Sequence, residues 1–304
     1  MKKIPNRQVH LDFHTSEMID QVGSKFSAEE FADTLKNANV EAVTLFTRCH
    51  HGNLYYDSTK YPERIHPHLK VKDMYREQAK ECRKKGIKVY LYTTICWDIR
   101  VAAEHPEWVA IDDYARISRR ETGNIFEDPG FHVDLCINSP YREFCKEQIA
   151  DALENCPVDG VLVDASFVVE CCCPRCRKSM LEKHLNPADP QDRKKHAWQI
   201  YYDFVREMTD YLHEIDSDYD IFFNKGHVGA QDIPVRDCFD YVAVESQPAN
   251  CGYMDFPVSA RYLRTWGVPV VGMTGRFLTG WGDNNSYRNQ AALEYESFSA
   301  LSYG

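Results

Sequence analysis

Long apolar runs are missing from this sequence. Nowhere do about 18 apolar residues follow one another, which is the length that a membrane-spanning helix needs. The first residues, MKKIPNRQVHLDF, carry two lysines but no apolar stretch of signal-peptide length. We therefore expect a cytoplasmic protein with no membrane partner.

Blocks of positive charge are missing too. The chain has 36 Lys and Arg against 46 Asp and Glu, a formal net charge of -10, which argues against nucleic acid as a partner. A glycine-rich phosphate loop is also absent, because the first predicted strand runs into the polar sequence HTSEM. This disfavours a doubly wound, nucleotide-binding sheet.

What the sequence does contain is a regular alternation of short apolar runs and helical patterns. Such alternation is typical of repeated βα units with a parallel sheet. The seven predicted strands are Val9–His14, Ala42–Thr47, Lys88–Ile95, Gly160–Ala165, Asp220–Lys225, Tyr241–Ser246 and Pro269–Thr274. Seven repeats within 304 residues, 43% of them hydrophobic, favour one (β/α)₈ barrel domain spanning residues 1–304.

Three helices have clear sequence signals. Ser27 and Glu30 form a capping-box pattern that predicts a helix start, and residues 191–215 place apolar side chains three and four apart. Residues 287–304 are predicted to form the helix after the seventh strand. Because no eighth unit follows, we expect an incomplete barrel, a fragment or a chain completed by another subunit. The alternative is a short eighth strand at residues 297–304.

The carboxyl ends of the predicted strands are polar. In parallel barrels, chemistry collects at this rim, and histidines, carboxylates, an arginine and a tryptophan together are typical of a sugar-binding site. The rim residues are His10, Asp12, His14, Arg48, Cys49, His50, His51, Trp97, Asp98, Asp164, Asn224, His227, Glu245, Gln247 and Arg276.

Several segments resemble the catalytic barrel of retaining alpha-L-fucosidases of glycoside hydrolase families 29 and 151. They are SAEEFADTLKNANVEAVTLFTRCHHGNLYY, YREQAKECRKKGIKVYLYTTICWD and PVDGVLVDAS. The resemblance implies that His14, His50 and His51 bind fucose hydroxyls, that Trp97 stacks on the sugar, and that Asp164 is the nucleophile. The histidine pair reads CHHGN and lacks the aspartate that commonly follows it in family 29.

Retaining hydrolysis requires a second carboxyl about 5 to 5.5 Å from the nucleophile. Glu245, at the end of the sixth strand, is the preferred acid/base residue, with Asp98, Asp12 and Asp134 as competitors. Asn224 and Arg276 are expected to bind substrate. For Asp164 itself, the alternative is a structural aspartate that caps the next helix.

The cysteines are concentrated after the fourth strand. Cys171, Cys173 and Cys176 have a C-x-C-x2-C spacing that a tetrahedral metal site can use. The segment HVDLCINSPYRE resembles one in family 42 beta-galactosidases, where a cysteine completes a structural zinc site. That resemblance gives the fourth ligand role to Cys136. The alternative is a loop of free, reduced thiols, and in neither case does the chemistry require a cofactor.

The preferred function is therefore that of an exo-acting alpha-L-fucosidase with a small carbohydrate as its substrate. A beta-galactosidase-like hydrolase is an alternative, although those enzymes carry glutamates on strands four and seven, where this chain has Asp164 and the sequence VGMTGRF. The third hypothesis is a catalytically inactive barrel that binds sugar. The sequence leaves homo-oligomerisation open.

Overall fold

A computed structural model describes residues 4–118, 132–154, 156–279, 281, 283 and 286–303. The chain divides into two compact units. The first unit runs from Arg7 to Tyr219, and the second contains the described residues from Asp220 onward together with residues 4–6.

All seven predicted strands are present. They are β1 (Gln8–His10), β2 (Ala42–Phe46), β3 (Lys88–Thr94), β4 (Gly160–Asp164), β5 (Asp220–Phe223), β6 (Val242–Glu245) and β7 (Val270–Met273). The first strand was predicted to end at His14, whereas β1 ends at His10. Asp12 and His14 therefore lie in the segment that follows β1 rather than on the strand.

The first unit is built on the parallel strands β1 to β4. Ala42 pairs with Gln8 of β1 and with Lys88 of β3, and Thr94 pairs with Asp164. Every residue of β2 is buried, as expected for a parallel strand that is covered on both faces. This register brings the carboxyl ends of the four strands to one edge of the sheet.

Helices alternate with the strands in both units. They are α1 (Ala28–Asn37), α2 (Met74–Lys84), α3 (Ile99–Glu104), α4 (Tyr141–Leu153), α5 (Pro174–Glu182), α6 (Pro190–Ile215), α7 (Pro248–Cys251), α8 (Asp255–Leu263) and α9 (Gln290–Tyr303). The Ser27 side chain accepts a hydrogen bond from the Glu30 backbone N–H, which confirms the predicted start of α1. Helix α6 buries Tyr201, Val205 and Met208, as its spacing predicts.

The second unit contains β5, β6 and β7. Strands β6 and β7 pair in parallel, with Val242 opposite Val270, and α7 and α8 connect them. The predicted final helix is confirmed as α9. The alternative of an eighth strand is wrong for residues 297–303, which are helical, and residue 304 lies outside the described residues.

The α/β class with parallel strands is therefore confirmed in each unit. Closure into a (β/α)₈ barrel stays a prediction, because among the described residues the pairings inside each unit run from β1 to β4 and from β6 to β7. In the described part of the chain, no helix has the length and apolar character needed to cross a membrane.

Candidate active site

Two of the predicted sugar-binding histidines stack on each other beyond the ends of β1 and β2. The ring centroids of His14 and His50 lie 4.1 Å apart with an interplanar angle of 26°. The backbone N–H of His50 donates to Nδ1 of His14 over 3.2 Å. The edge of the His14 ring also meets Phe46 of β2 at 5.0 Å. The structure therefore brings both histidines into one group of side chains beyond the carboxyl ends of the strands, which forms the candidate pocket.

Asp164, the last residue of β4, borders the same pocket. The Tyr92 hydroxyl donates to its Oδ2 atom over 2.6 Å, and Nε2 of His50 lies 3.9 Å from that oxygen. The Asp164 side chain keeps 17% of its surface exposed. The next residue, Ala165, has a φ of 51°, a left-handed conformation that is strained for alanine and is common at functional sites.

Tyr92 was not among the predicted site residues. Its ring stacks on Phe46 with centroids 3.7 Å apart, which directs the hydroxyl toward the carboxyl ends of the strands. The sequence signal was its place two residues before the end of β3, on the same strand face as Thr94. A tyrosine so close to a polar strand end could have been considered as a partner for Asp164.

Burial controls the protonation of these groups. It is the main cause that lowers the pKa of His14 to about 3 and the pKa of His50 well below 6.5, and the neighbouring His51 acts in the same direction on both. Burial and then the Asp164 carboxylate raise the pKa of Tyr92 well above its ordinary value. At neutral pH the pocket therefore holds two neutral imidazoles and a protonated phenol.

Trp97 also adjoins this pocket, but it is only 9% exposed. Its indole N–H donates to Oδ1 of Asp134 over 3.0 Å. Its ring meets the ring of His50 at 5.0 Å, edge to face, and that of Phe167 at 4.7 Å. Trp97 thus forms part of the pocket wall behind His50, and its predicted stacking on a sugar stays a prediction.

The three competing carboxylates have different surroundings. Asp98 is fully buried, where it caps α3 through the Val101 N–H and forms an ion pair with Arg48 at 3.0 Å. Asp134 accepts hydrogen bonds from Trp97 and from the Ser118 hydroxyl. Both are engaged in structural contacts. Asp12, in contrast, lies 3.1 Å from Nε2 of His10 and 3.8 Å from Nε2 of His14, within the pocket.

The second unit contains the remaining predicted residues. Each carboxylate oxygen of Glu245 accepts a hydrogen bond from a side-chain amide, one from Asn224 at 3.2 Å and one from Gln247 at 3.1 Å. These bonds fix the orientation of the Glu245 carboxyl at the end of β6. Arg276 lies over the ring of Tyr287, with its guanidinium carbon 4.8 Å from the centroid. Within this unit, the structure thus brings Asn224 and Glu245 together.

The cysteine cluster forms as predicted. The Sγ atoms of Cys136, Cys171, Cys173 and Cys176 all lie within 4.8 Å of one another, and all four side chains are buried. Cys136 reaches Cys173 at 3.9 Å and Cys176 at 3.5 Å. The neighbouring Cys172 is buried too, but it does not belong to the cluster.

The donor set fits a metal ion. Four thiolates at about 2.3 Å from a tetrahedral zinc lie roughly 3.8 Å from one another, close to the spacings seen here. Hydrogen bonds among the four thiols lower the pKa of Cys173 and of Cys171 and raise the pKa of Cys136 and of Cys176. Four close thiolates need a cation to balance their charge, and these residues could hold one. Four protein ligands would leave no open position, so such a metal would be structural.

Part of the sequence matches a protein-family model. Residues 27–165 match the model described as hypothetical glycosyl hydrolase 6. This segment contains His50, His51, Trp97 and Asp164. No curated protein matches the sequence.

The structure is similar to several solved ones. Alpha-L-fucosidase isoenzyme 2 from Paenibacillus thiaminolyticus has 31% identity and a TM-score of 0.89, and the alignment covers 98% of this chain and 44% of that one. The beta-galactosidase from the psychrophilic Marinomonas ef1 has 14% identity and a TM-score of 0.69, with 97% and 52% covered. The Thermotoga maritima alpha-fucosidase has 14% identity and a TM-score of 0.51, with 93% and 49% covered.

These comparisons carry different weight. The two structures at 14% identity show a shared fold alone. The family match and the structure at 31% identity together support a glycoside hydrolase. The chain spans about half the length of each of these three solved structures.

Proposed function

We propose that this chain is the catalytic region of a retaining, exo-acting alpha-L-fucosidase that removes terminal fucose from oligosaccharides or glycoconjugates. The observation that carries the proposal is the candidate pocket, in which Asp164 accepts the Tyr92 hydroxyl bond and lies 3.9 Å from His50, which stacks on His14. Asp164 and His50 lie within the segment that matches a glycosyl hydrolase family. The similarity to a solved alpha-L-fucosidase at 31% identity supports the choice of sugar.

Asp164 is proposed as the nucleophile. Its carboxylate oxygen attacks the anomeric carbon, the bond from that carbon to the leaving oxygen breaks, and a glycosyl ester forms. The Tyr92 hydroxyl holds the carboxylate in place through its 2.6 Å hydrogen bond. Hydrogen-bonding side chains around the sugar, namely His14, His50 and His51, would orient the ring for this attack.

Glu245 is proposed as the acid/base residue. It would give its proton to the leaving oxygen, and its carboxylate would then take a proton from the water that displaces Asp164 and releases fucose. Two observations support this assignment: Glu245 lies at the end of β6, and two amide hydrogen bonds orient its carboxylate. Asn224 is proposed to bind substrate beside it, and Arg276 is a further substrate-binding candidate.

We also propose a fold, a structural metal and a partner for this catalytic region. The catalytic region would be a (β/α)₈ barrel, supported by the parallel βα units. The four-cysteine cluster would hold one structural zinc, supported by its geometry and its thiol ligands. The proposed partner is a small carbohydrate in the cytoplasm, and no cofactor takes part in the chemistry.

Nitrophenyl glycosides test the activity. We expect the chain to release nitrophenol from the alpha-L-fucoside and not from the beta-D-galactoside. Hydrolysis of the galactoside instead would favour the galactosidase alternative. Fucose binding without turnover of either glycoside would favour an inactive sugar-binding protein.

Azide rescue tests the two catalytic assignments. Replacement of Asp164 or Glu245 should lower the rate by several orders of magnitude. Azide should then restore turnover of an activated substrate, with inversion for Asp164→Gly and with retention for Glu245→Ala. Unchanged activity in Asp164→Asn would exclude the nucleophile assignment. If azide rescues Asp12→Ala and not Glu245→Ala, only the acid/base assignment is wrong.

A further inference from the structure

Asn138 lies beside the cysteine cluster, in the turn between Cys136 and the start of α4. Its half-buried side-chain amide donates from Nδ2 to Sγ of Cys176 over 3.6 Å. This distance is longer than that of a bond to oxygen because sulfur is the larger atom. Cys176 belongs to α5, so the hydrogen bond joins the two segments that supply the cluster.

The charge of a metal-loaded cluster explains why an N–H donor matters at this position. Four thiolates and one divalent cation leave two negative charges, and all four cysteines are buried. A buried charge is costly unless hydrogen bonds offset the loss of water. The Cys173 backbone N–H donates to Sγ of Cys171 over 3.4 Å, within the loop that follows β4. The Asn138 amide is a further donor, and it comes from the other segment.

The chemistry of a metal-bound thiolate fixes the direction of the Asn138 hydrogen bond. A free thiol could donate its hydrogen to the amide oxygen, whereas a thiolate has no hydrogen and can only accept. When Cys176 binds a metal, the NH₂ group of Asn138 is therefore the part of the amide that can face the sulfur. This is the orientation that the structure shows.

The turn that carries Asn138 is held by contacts of its own. The Ser139 hydroxyl accepts the Tyr141 backbone N–H over 3.2 Å at the start of α4. Nε of Arg142 donates to the Ile137 carbonyl oxygen over 2.9 Å. These bonds fix the backbone on both sides of Asn138, so the amide is directed at the cluster before a metal binds.

We propose that Asn138 is a positioning residue of the metal site, and that its amide N–H holds the Cys176 thiolate in place and so retains the metal. This inference rests on the structural zinc of the proposed function. Groups that hydrogen-bond to metal ligands typically contribute about 10- to 100-fold in metal affinity. The turn before α4 would then supply one ligand, Cys136, and the hydrogen-bond donor to another.

Competition between zinc-loaded protein and a chromophoric chelator measures the metal affinity. Asn138→Leu has a side chain of similar size without a donor, and we expect it to raise the Kd for zinc about tenfold or more. Ser139→Ala is the matched control, because its bond goes to the Tyr141 N–H in the same turn, and it should keep the wild-type Kd. An unchanged Kd in Asn138→Leu, or an equal rise in Ser139→Ala, would overturn the proposal.

Cadmium-113 NMR of the cadmium-loaded wild-type chain tests the hydrogen bond without any substitution. A hydrogen bond to a metal-bound sulfur transmits scalar coupling between the metal and the amide proton. We expect this coupling at the side-chain amide of Asn138, in protein labelled with nitrogen-15 asparagine. Bound cadmium without the coupling would show that only the role of Asn138 is wrong. A wild type that takes up neither zinc nor cadmium would refute both the structural metal and this inference.

Discussion

At the scale of single residues, the contact between Tyr92 and Asp164 has the clearest energetic meaning. A hydrogen bond from a neutral donor to a charged acceptor contributes about 1.5 to 3 kcal/mol. The Tyr92 ring is held by its stack on Phe46, so the hydroxyl position does not depend on a flexible side chain. The phenol therefore limits the rotation of the carboxylate that is proposed to attack the sugar.

Tyr92→Phe isolates this hydroxyl. The ring and its stack on Phe46 remain, so we expect a folded protein whose kcat/KM for nitrophenyl alpha-L-fucoside falls about 10- to 100-fold. Tyr75→Phe is the matched control, because it removes another buried hydroxyl, from α2. Thermal unfolding should confirm that both variants fold. Equal kcat/KM in wild type and Tyr92→Phe would show that the contact has no catalytic role.

At the scale of elements, the cysteine cluster joins two segments that flank the pocket. Cys136 lies two residues after Asp134, which holds the Trp97 indole. The backbone N–H of Leu135 donates to the Cys96 carbonyl over 2.8 Å. The other three cysteines belong to the loop after β4 and the start of α5. A metal at this cluster would fix both segments against each other.

Metal analysis of protein purified without chelator tests this idea. We expect close to one zinc per chain in the wild type, and loss of zinc with lower stability in Cys173→Ser, because the metal binds the folded state. Cys172→Ser is the matched control, since Cys172 belongs to the same loop but not to the cluster. A zinc-free wild type that is as stable as the zinc-loaded one would contradict the prediction.

The elements were largely predictable because buried parallel strands leave continuous apolar runs in the sequence. The end of β1 was not predictable, since the alternation in VHLDFH continues past His10, where pairing with β2 stops. The approach of His50 to Asp164 is what the strand-end rule predicts, whereas His14 joins them from the segment that follows β1. The roles of Tyr92 and Asp98 were missed because they depend on contacts between distant segments, with Asp164 and Arg48 respectively.

At the scale of the whole molecule, the buried histidines make stability depend on pH. The unfolded chain binds a proton at His14 near pH 6.5, whereas the folded protein does so only near pH 3. Because the folded pKa is the lower one, stability is unaffected above pH 6.5 and is lost as the pH falls from 6.5 toward 3. The burial of His50 acts in the same direction.

Urea unfolding at pH 7.5 and pH 5.0 measures this effect. The linkage at His14 alone predicts a loss of about 2 kcal/mol of unfolding free energy between these pH values. His14→Gln should therefore lose about 2 kcal/mol less than the wild type over the same interval. His184→Gln, at an exposed position, is the control and should behave as the wild type does. Identical losses in His14→Gln and wild type would refute the assignment.

The cysteine cluster also sets an order of events during synthesis of the chain. Cys136 and Cys173 are 37 positions apart, and α4 and β4 lie between them. A nascent chain cannot assemble the four thiols until β4 and the loop that follows it have left the ribosome. Metal capture would therefore coincide with the docking of β4 beside β3, and the ion would select chains in which the Asp164 strand is already in place.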